Sequence, residues 1–347
     1  MSMTVADVGE FRLIERLHHV LEQEGVIASG VTLGIGDDTA SFLPPAGYEL
    51  LITCDCVVEG RHYLPDFITP VELGRRAMAM NISDIGAMGG KPLYAVVSLG
   101  LRADMLVADV EKLYRGFMAE LNPFGASVIG GNLTKSDQVT FIDITLIGRI
   151  EVGTCIKRST AQPGDTILVT GYPGQSAGGL RLLLQSPDSR VLRGHPLVQA
   201  YTAAAHRARE GRAVAKTGLA TAMIDTSDGF LGDLGHICQD SGVGAVLIQE
   251  ALPLNDNLRQ VASQFVIDPY ELVLGDSDDY ELIITCRPEH IGRIRTAISS
   301  VSPVAVHDVG TITDTATGVT LMLPDGTRRD VSAHGWDHFA SLRGPHG

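Results

Sequence analysis

The stretch "TPVELGRRAMAMNISDIGAMGG", residues Thr69 to Gly90, constrains the fold more than any other part of the chain. Thr-Pro is a helix-start signal, the apolar residues recur at helical spacing, and Gly-Gly stops the run. One long helix is predicted. Before it, "YELLITCDCVV" follows the turn signal "LPPAG" and predicts a strand from Glu49 to Val58; after it, "PLYAVVSLGLR" predicts another. A helix over Val107 to Leu121, a short strand at "ASVIGG" and a strand at "TFIDITLIGRI" complete this part. The turn-rich "RSTAQPGD" then separates it from "TILVTGYPGQSAGGLRLLLQ", which reads as strand, glycine-rich turn and helix. Beyond come helices over Pro196 to Glu210 and Gly229 to Asp240, strands at "GAVLIQ" and "YELIITC", and a helix after Pro288. A hairpin is expected around Pro-Asp-Gly in "GVTLMLPDGTRRDV". Both parts mix α and β, and 347 residues suit two domains, here 1–154 and 155–347.

Composition removes several function classes. A formal net charge of −14 disfavours a nucleic-acid binder, because phosphate backbones are held mainly by Lys and Arg clusters. The 5 cysteines form no CxxC pair, which argues for reduced thiols rather than a disulfide frame or structural zinc. No run of apolar residues approaches the roughly 20 needed to cross a bilayer, and the start "MSMTVADVGEF" lacks the features of a secretion signal. A cytoplasmic protein without membrane or nucleic-acid partners is expected.

The chemistry is carried by small acidic motifs at turns and element ends: Asp37 and Asp38, Asp55 in "TCDC", Asp84 in "NISDIG", Asp225 and Asp228 in "IDTSDGF", and Asp276, Asp278 and Asp279 in "GDSDDYE". Asp is poorly suited to strand and helix interiors, yet Asp55 interrupts a strand and Asp84 a helix. Each alone has a plainer explanation. Asp37, Asp38 and Asp228 suit turns or helix caps, Asp84 a solvated helix face, and Asp55 a pair with Arg61, Arg75 or Arg76. Together, beside Gly, Ser and Thr, they point to a polynuclear site for Mg²⁺ and phosphate, since Mg²⁺ takes oxygen ligands. Neither a G-x-x-x-x-G-K-[ST] loop nor a protein-kinase loop set is present, so ATP would need another scaffold.

On these residues the chain resembles the thiamine-monophosphate kinases of the aminoimidazole-ribonucleotide synthetase, or PurM-like, superfamily. The resemblance runs in order through "GEFRLIERL", "GIGDDTA", "TCDCVVEGRHYLPD", "AMNISDIGAMGGKPLYAVVSLGL", "VIGGNLTKS", "KRSTAQPGD", "VTGYPGQSAGGL", "IDTSDGFLGDLGHI", "DYELIIT" and "GWDHF". It implies a two-domain α/β PurM-like fold whose amino-terminal domains pair into a homodimer with a barrel-like core. It also implies transfer of the γ-phosphoryl of ATP onto thiamine monophosphate, giving thiamine diphosphate, with several Mg²⁺ ions. Asp38, Thr53, Asp55, Asp84, Asp225 and Asp228 match family metal ligands, with Asp55, Asp84 and Arg158 closest to the transfer. Gly130, Gly131, Arg158 and Ser227 match ATP-holding positions, and Tyr114 one lining the base. His62 and Trp336 match positions that contact the acceptor.

Three departures qualify the match. Cys54 stands where the family has a hydroxyl residue, and coordinates there through its backbone carbonyl if at all, since a neutral thiol is a poor Mg²⁺ ligand. Asn132, in "GGNLT", replaces a metal-binding Asp beside the nucleotide, leaving an amide oxygen as ligand. Asp278 replaces a substrate-contacting Glu, next to Asp276-Ser277 in place of Gly-Gly. These changes keep two alternatives open: a paralogue phosphorylating a different small molecule with ATP and Mg²⁺, and a non-catalytic protein that binds nucleotide or thiamine phosphate.

Overall fold

The structure is a computed structural model that describes residues 3–25, 28–35, 39–186, 188–203, 205–314 and 318–332. Helices α1 (Val5–Val8) and α2 (Glu10–Glu24) lead to an antiparallel pair, β1 (Val31–Leu33) and β2 (Ser41–Phe42). Then follow β3 (Tyr48–Val58), α3 (Pro70–Ala87), β4 (Lys91–Leu101), α4 (Val107–Leu121), β5 (Ser127–Lys135) and β6 (Phe141–Glu151). The predicted long helix is α3. Thr69 starts it with a reciprocal cap: its hydroxyl accepts the Glu72 N–H at 3.3 Å, and the Glu72 carboxylate accepts the Thr69 N–H at 2.7 Å.

Strands β3, β6, β4 and β5 form an open sheet in that order, parallel only between β4 and β5, which α4 connects. In the β3–β6 register Asp55 lies opposite Ile144, whose side chain is buried in the core beneath α3 and α4. Side chains alternate along a strand, so Thr53, Asp55 and Val57 face the helices. Cys54 and Cys56, opposite Thr145 and Asp143, face outward.

The second half contains β7 (Thr166–Thr170), α5 (Gln175–Gln185), α6 (Pro196–Thr202), α7 (Ala208–Thr217), β8 (Ala220–Asp225), α8 (Phe230–Ser241) and β9 (Gly244–Ile248). It continues through α9 (Asp256–Phe265), α10 (Pro269–Leu274), β10 (Leu282–Cys286), α11 (Ile291–Ser299), β11 (Val306–Thr313), β12 (Gly318–Met322) and β13 (Arg328–Asp330). The sheet order is β13-β12-β9-β11-β7-β10-β8. Ile283 packs with Leu182, Phe230 and Leu258 on one face, while Leu282 and Ile284 pack with Val214, Ile294 and Ile298 on the other. This alternation explains the all-apolar β10: helices cover both sides of it.

The halves meet where α3 packs on α7 and β8. A Cβ at Gly86 would lie 2.5 Å from the Ala208 Cα, so only glycine permits this approach. The contact sets Asp84, near the end of α3, beside Asp225, the last residue of β8.

Three sequence expectations are revised. The helix over Pro196 to Glu210 is two helices, because Ala203 leaves helical backbone and the turn carries His206 to Glu120 and Arg207 to Glu281. The strand read from Tyr280 begins at Leu282, since buried Tyr280 takes a positive φ of 53° and donates its N–H to the Thr226 carbonyl. The short strand at "ASVIGG" runs on to Lys135 as β5. Among the described residues no helix is long and apolar enough to cross a membrane.

Candidate active site

Five of the singled-out residues meet at the junction of the halves. Thr53 on β3 donates its hydroxyl to the Asp84 carboxylate, and Ser83, one residue earlier on α3, donates to Asp225 Oδ2 at 2.5 Å. The charges are close enough to oppose one another. Burial, then the neighbouring charges of Asp84 and Asp228, push the Asp55 carboxyl up to about 6. Burial and Asp225 push Asp84 up to about 7, against the pull of the Thr53 hydroxyl. Burial raises Asp225 to about 6, opposed by Ser83 and reinforced by Asp55 and Asp228. Among the described residues no Lys or Arg forms an ion pair with any of the four.

A second layer fixes the loop between β8 and α8. Asp233, buried in the first turn of α8, accepts the Asp228 N–H at 3.1 Å. Burial and the charges of Asp225 and Asp228 raise its carboxyl well above the usual range. His236, one turn on, brings a ring nitrogen into the same cluster: single ligand atoms of Asp228, Asp233 and His236 lie within 4.8 Å of one another. The sequence reading missed Asp233 and His236. Their signal was an acidic residue and a histidine three apart on the helix that starts after "SDG".

The "GDSDDYE" loop arrives from the other side, but three of its four carboxylates are already engaged. Asp278 pairs with Arg76 of α3 and accepts the Ser176 hydroxyl at 2.6 Å. Arg76 itself is 2% exposed, donates to the Tyr201 carbonyl and lies 4.8 Å over the Tyr201 ring. Asp279 accepts the N–H groups of Gly174 at 2.5 Å and Ser176 at 2.8 Å, which caps α5 and its glycine-rich turn. Glu281 takes Arg207 in a two-point pair at 2.6 and 2.5 Å and the Thr170 hydroxyl at 2.6 Å. Asp276 alone leans toward the cluster: partial burial and the Asp228 charge raise its carboxyl.

Of the other described candidates, several point away from this cluster. Cys54 is on the opposite sheet face, donating its thiol to Asp143 Oδ1 at 3.3 Å. Asn132 is on that face too, level with Ser98 and Asp143 across the sheet. Gly131 is required by packing, since a Cβ there would sit 2.1 Å from the Val97 carbonyl oxygen, whereas Gly130 is open to within 4.0 Å of Ala40. Arg158 pairs with Asp240 at 2.6 Å, near the far end of α8 and roughly 15 Å along that helix from the Asp228 end. Tyr114 is buried in the first core, edge-on to Phe117 at 5.2 Å. Ser227 is exposed in the loop between Asp225 and Asp228. His62 follows β3, its Nδ1 accepting the Val58 N–H at 3.0 Å. Asp38, its neighbour Asp37, and Trp336 fall outside the described residues.

A largely buried set of oxygen donors with mutual repulsion, and with no Lys or Arg ion pair among the described residues, suits hard divalent cations, which also accept phosphate oxygens. Comparison with known proteins agrees in kind. The model of the AIR synthase related protein N-terminal domain matches residues 36–150, and that of the C-terminal domain matches 162–321. The thiamine-monophosphate kinase of Salmonella typhimurium is 34% identical over 336 residues, covering 96% of this chain and 99% of that one. The crystal structure of thiamine-monophosphate kinase from Stenotrophomonas maltophilia superposes with a TM-score of 0.78 at 28% identity, covering 94% and 98% of the two chains. A structure described as AaThiL complexed with AMPPCP and TMP gives a TM-score of 0.73 at 30% identity, covering 98% and 100%.

Proposed function

This chain belongs to the AIR synthase related proteins and, among them, to the thiamine-monophosphate kinase family; from that premise we propose that it transfers the terminal phosphoryl group of ATP to thiamine monophosphate, yielding thiamine diphosphate and ADP. The observation that carries this reading is the meeting of Asp55 and Asp84 from one half with Asp225 and Asp228 from the other, an acidic cluster that no Lys or Arg pairs among the described residues.

In this reading Asp55, Asp84, Asp225 and Asp228, with the Thr53 hydroxyl beside them, hold Mg²⁺. When bound, such ions screen the charge between an anionic acceptor and an anionic donor and align their oxygens. The chain's own work is positional. Thr53 and Ser83 fix the Asp84 and Asp225 carboxylates by hydrogen bonds, Asp233 holds the backbone of the Asp228 loop, and the α3–α7 contact keeps the halves in register. Positioning of this kind supplies most of what phosphoryl transfer between two phosphates requires. Ser227 and the glycine-rich turns remain the nucleotide-side candidates, and His62 the acceptor-side one. Arg158, Tyr114, Asn132 and the Cys54 thiol stay outside the cluster within one chain. The domains 1–154 and 155–347, a cytoplasmic setting and a homodimer belong to the same reading; Leu50 and Ile52, 39% and 69% exposed on the outward sheet face, support the pairing.

The test is ADP release from Mg²⁺ and ATP with and without thiamine monophosphate. Release that depends on the acceptor and vanishes on chelation is expected; acceptor-independent or absent release defeats the reading. One observation favours a second acceptor class: the Asp278 carboxylate is taken up by Arg76 and Ser176 rather than free to meet substrate. ADP release on another small phosphate or alcohol, but not on thiamine monophosphate, is the result that selects it.

A further inference from the structure

Away from the aspartates, a half-open pocket of about 310 Å³ lies across the junction of the halves. Pro123 and Phe124, in the turn after α4, form one wall; His206, Arg209 and Glu210, at the start of α7, form the second; Pro303, in the loop after α11, closes the third. Two of its polar side chains, Arg209 and Glu210, line it without a hydrogen bond to any other side chain among the described residues. Glu210 is 5% exposed and receives no hydrogen bond among the described residues. Arg207, whose charge it feels, already donates Nε and Nη2 to Glu281. Glu210 sits in the first turn of α7 and lines the pocket, so its carboxylate offers an acceptor that an N–H donor in the pocket can reach. Arg209 is exposed at the rim and forms no ion pair among the described residues. The His206 ring, held by Glu120 at 3.3 Å, stands 5.5 Å from Phe124, so the wall between these charges is flat and partly aromatic.

We propose that this pocket binds a small molecule with an amino-substituted heteroaromatic ring and an anionic group: the ring amine donates to Glu210, the ring lies along Phe124 and Pro303, and the anion sits on Arg209. Adenine nucleotides and thiamine phosphates both have this chemistry, the latter through the aminopyrimidine; thiamine diphosphate is included as a probe on the strength of the proposed activity. The site is linked to the acidic cluster by short paths. Ala208 packs on Gly86, two residues beyond Asp84, and Arg207 grips Glu281, whose backbone N–H is held by Thr226 in the Asp225–Asp228 loop.

The experiment is calorimetric titration of the full chain, saturated with Mg²⁺ and a non-hydrolysable ATP analogue, with AMP in one arm and thiamine diphosphate in the other. Saturable binding in at least one arm is expected, weakened about tenfold in Arg209→Ala and in Glu210→Gln, the scale of one charge-assisted contact. Arg209 is exposed, so its variant keeps the test open if Glu210→Gln fails to fold. Binding of equal strength in wild type and both variants belongs to the reaction's own sites and overturns the proposal, as does absence of binding in both arms. Because the readout needs no turnover, a failed kinase assay leaves it intact.

Discussion

Two regions of this molecule are equally acidic in sequence and opposite in physics. In the loop 276–281, Asp278 has Arg76 and a serine hydroxyl, Asp279 has two backbone N–H groups, and Glu281 has Arg207 and Thr170. At the junction, Asp55, Asp84, Asp225 and Asp228 face mainly one another, moderated by single hydroxyls from Thr53 and Ser83. Burial raises carboxyls in both places, Asp279 included, to about 6. The lesson lies in the partners: carboxylates whose hydrogen bonds close inside the chain hold the fold, and those left to repel one another hold something else.

The sharpest way to break this contrast is to remove one acid from each region. Asp84→Ala is expected to lower turnover about 10³-fold, the scale of losing one group that positions transferring charge, while leaving the folded chain no less stable without metal, since a repulsive partner has gone. Steady-state ADP release and thermal melting in chelator measure the two. Glu281→Ala is expected to do the reverse in kind, costing about 3 kcal/mol of stability because Arg207 is left buried without its partner. Urea denaturation reads this directly. An Asp84 variant that unfolds easily, or a Glu281 variant as stable as wild type, erases the distinction.

Acidity gives a smaller, graded effect. Asp55, Asp84 and Asp225 have folded-state values near 6, 7 and 6, above the usual 3.8, so the folded chain holds those protons more tightly than the unfolded one. Their contribution to stability is therefore fully present below about pH 4 and is lost as pH climbs through 6 to 7. Asp279 moves in the same direction. Mg²⁺ binding to the cluster reverses the loss only for the first three. The expected result is a Mg²⁺-induced rise in melting temperature of several degrees at pH 8 and little at pH 5; equal rises at both contradict the assignment of the cluster as the cation site.

How much of this was legible beforehand follows the range of each determinant. The bounds of α3, β3, α4 and β6 are set by local signals, Thr69 and Glu72 at a cap or alternating apolar residues along a strand, and they read through. Asp55 and Asp84 stood out because Asp is a misfit in the elements that carry them. The break between α6 and α7 did not, because the Arg207–Glu281 pair that anchors the start of α7 joins residues 74 apart. Ser83 meets Asp225 across 142 residues and Arg76 meets Asp278 across 202, distances over which no periodicity reports. Cys54 entered the metal set through the family position it occupies, by its backbone carbonyl; the side its thiol takes is decided by strand alternation and the register with β6, which turn it away from Asp55.

The finest form of the contrast compares two hydroxyls that do the same local job. Thr53 donates to Asp84 in the cluster, and Ser176 donates to Asp278 in the loop. Thr53→Val and Ser176→Ala each delete one such bond, and each is expected to cost about 1 kcal/mol in denaturant unfolding. Stability alone therefore cannot tell them apart. The Mg²⁺ concentration for half-maximal ADP release can: a hydroxyl that orients a ligating carboxylate typically governs metal affinity by about tenfold or more, so Thr53→Val should raise that concentration while Ser176→Ala leaves it where it was. If both variants shift it alike, the loop shares the cation with the cluster and the division between the two acidic regions is wrong.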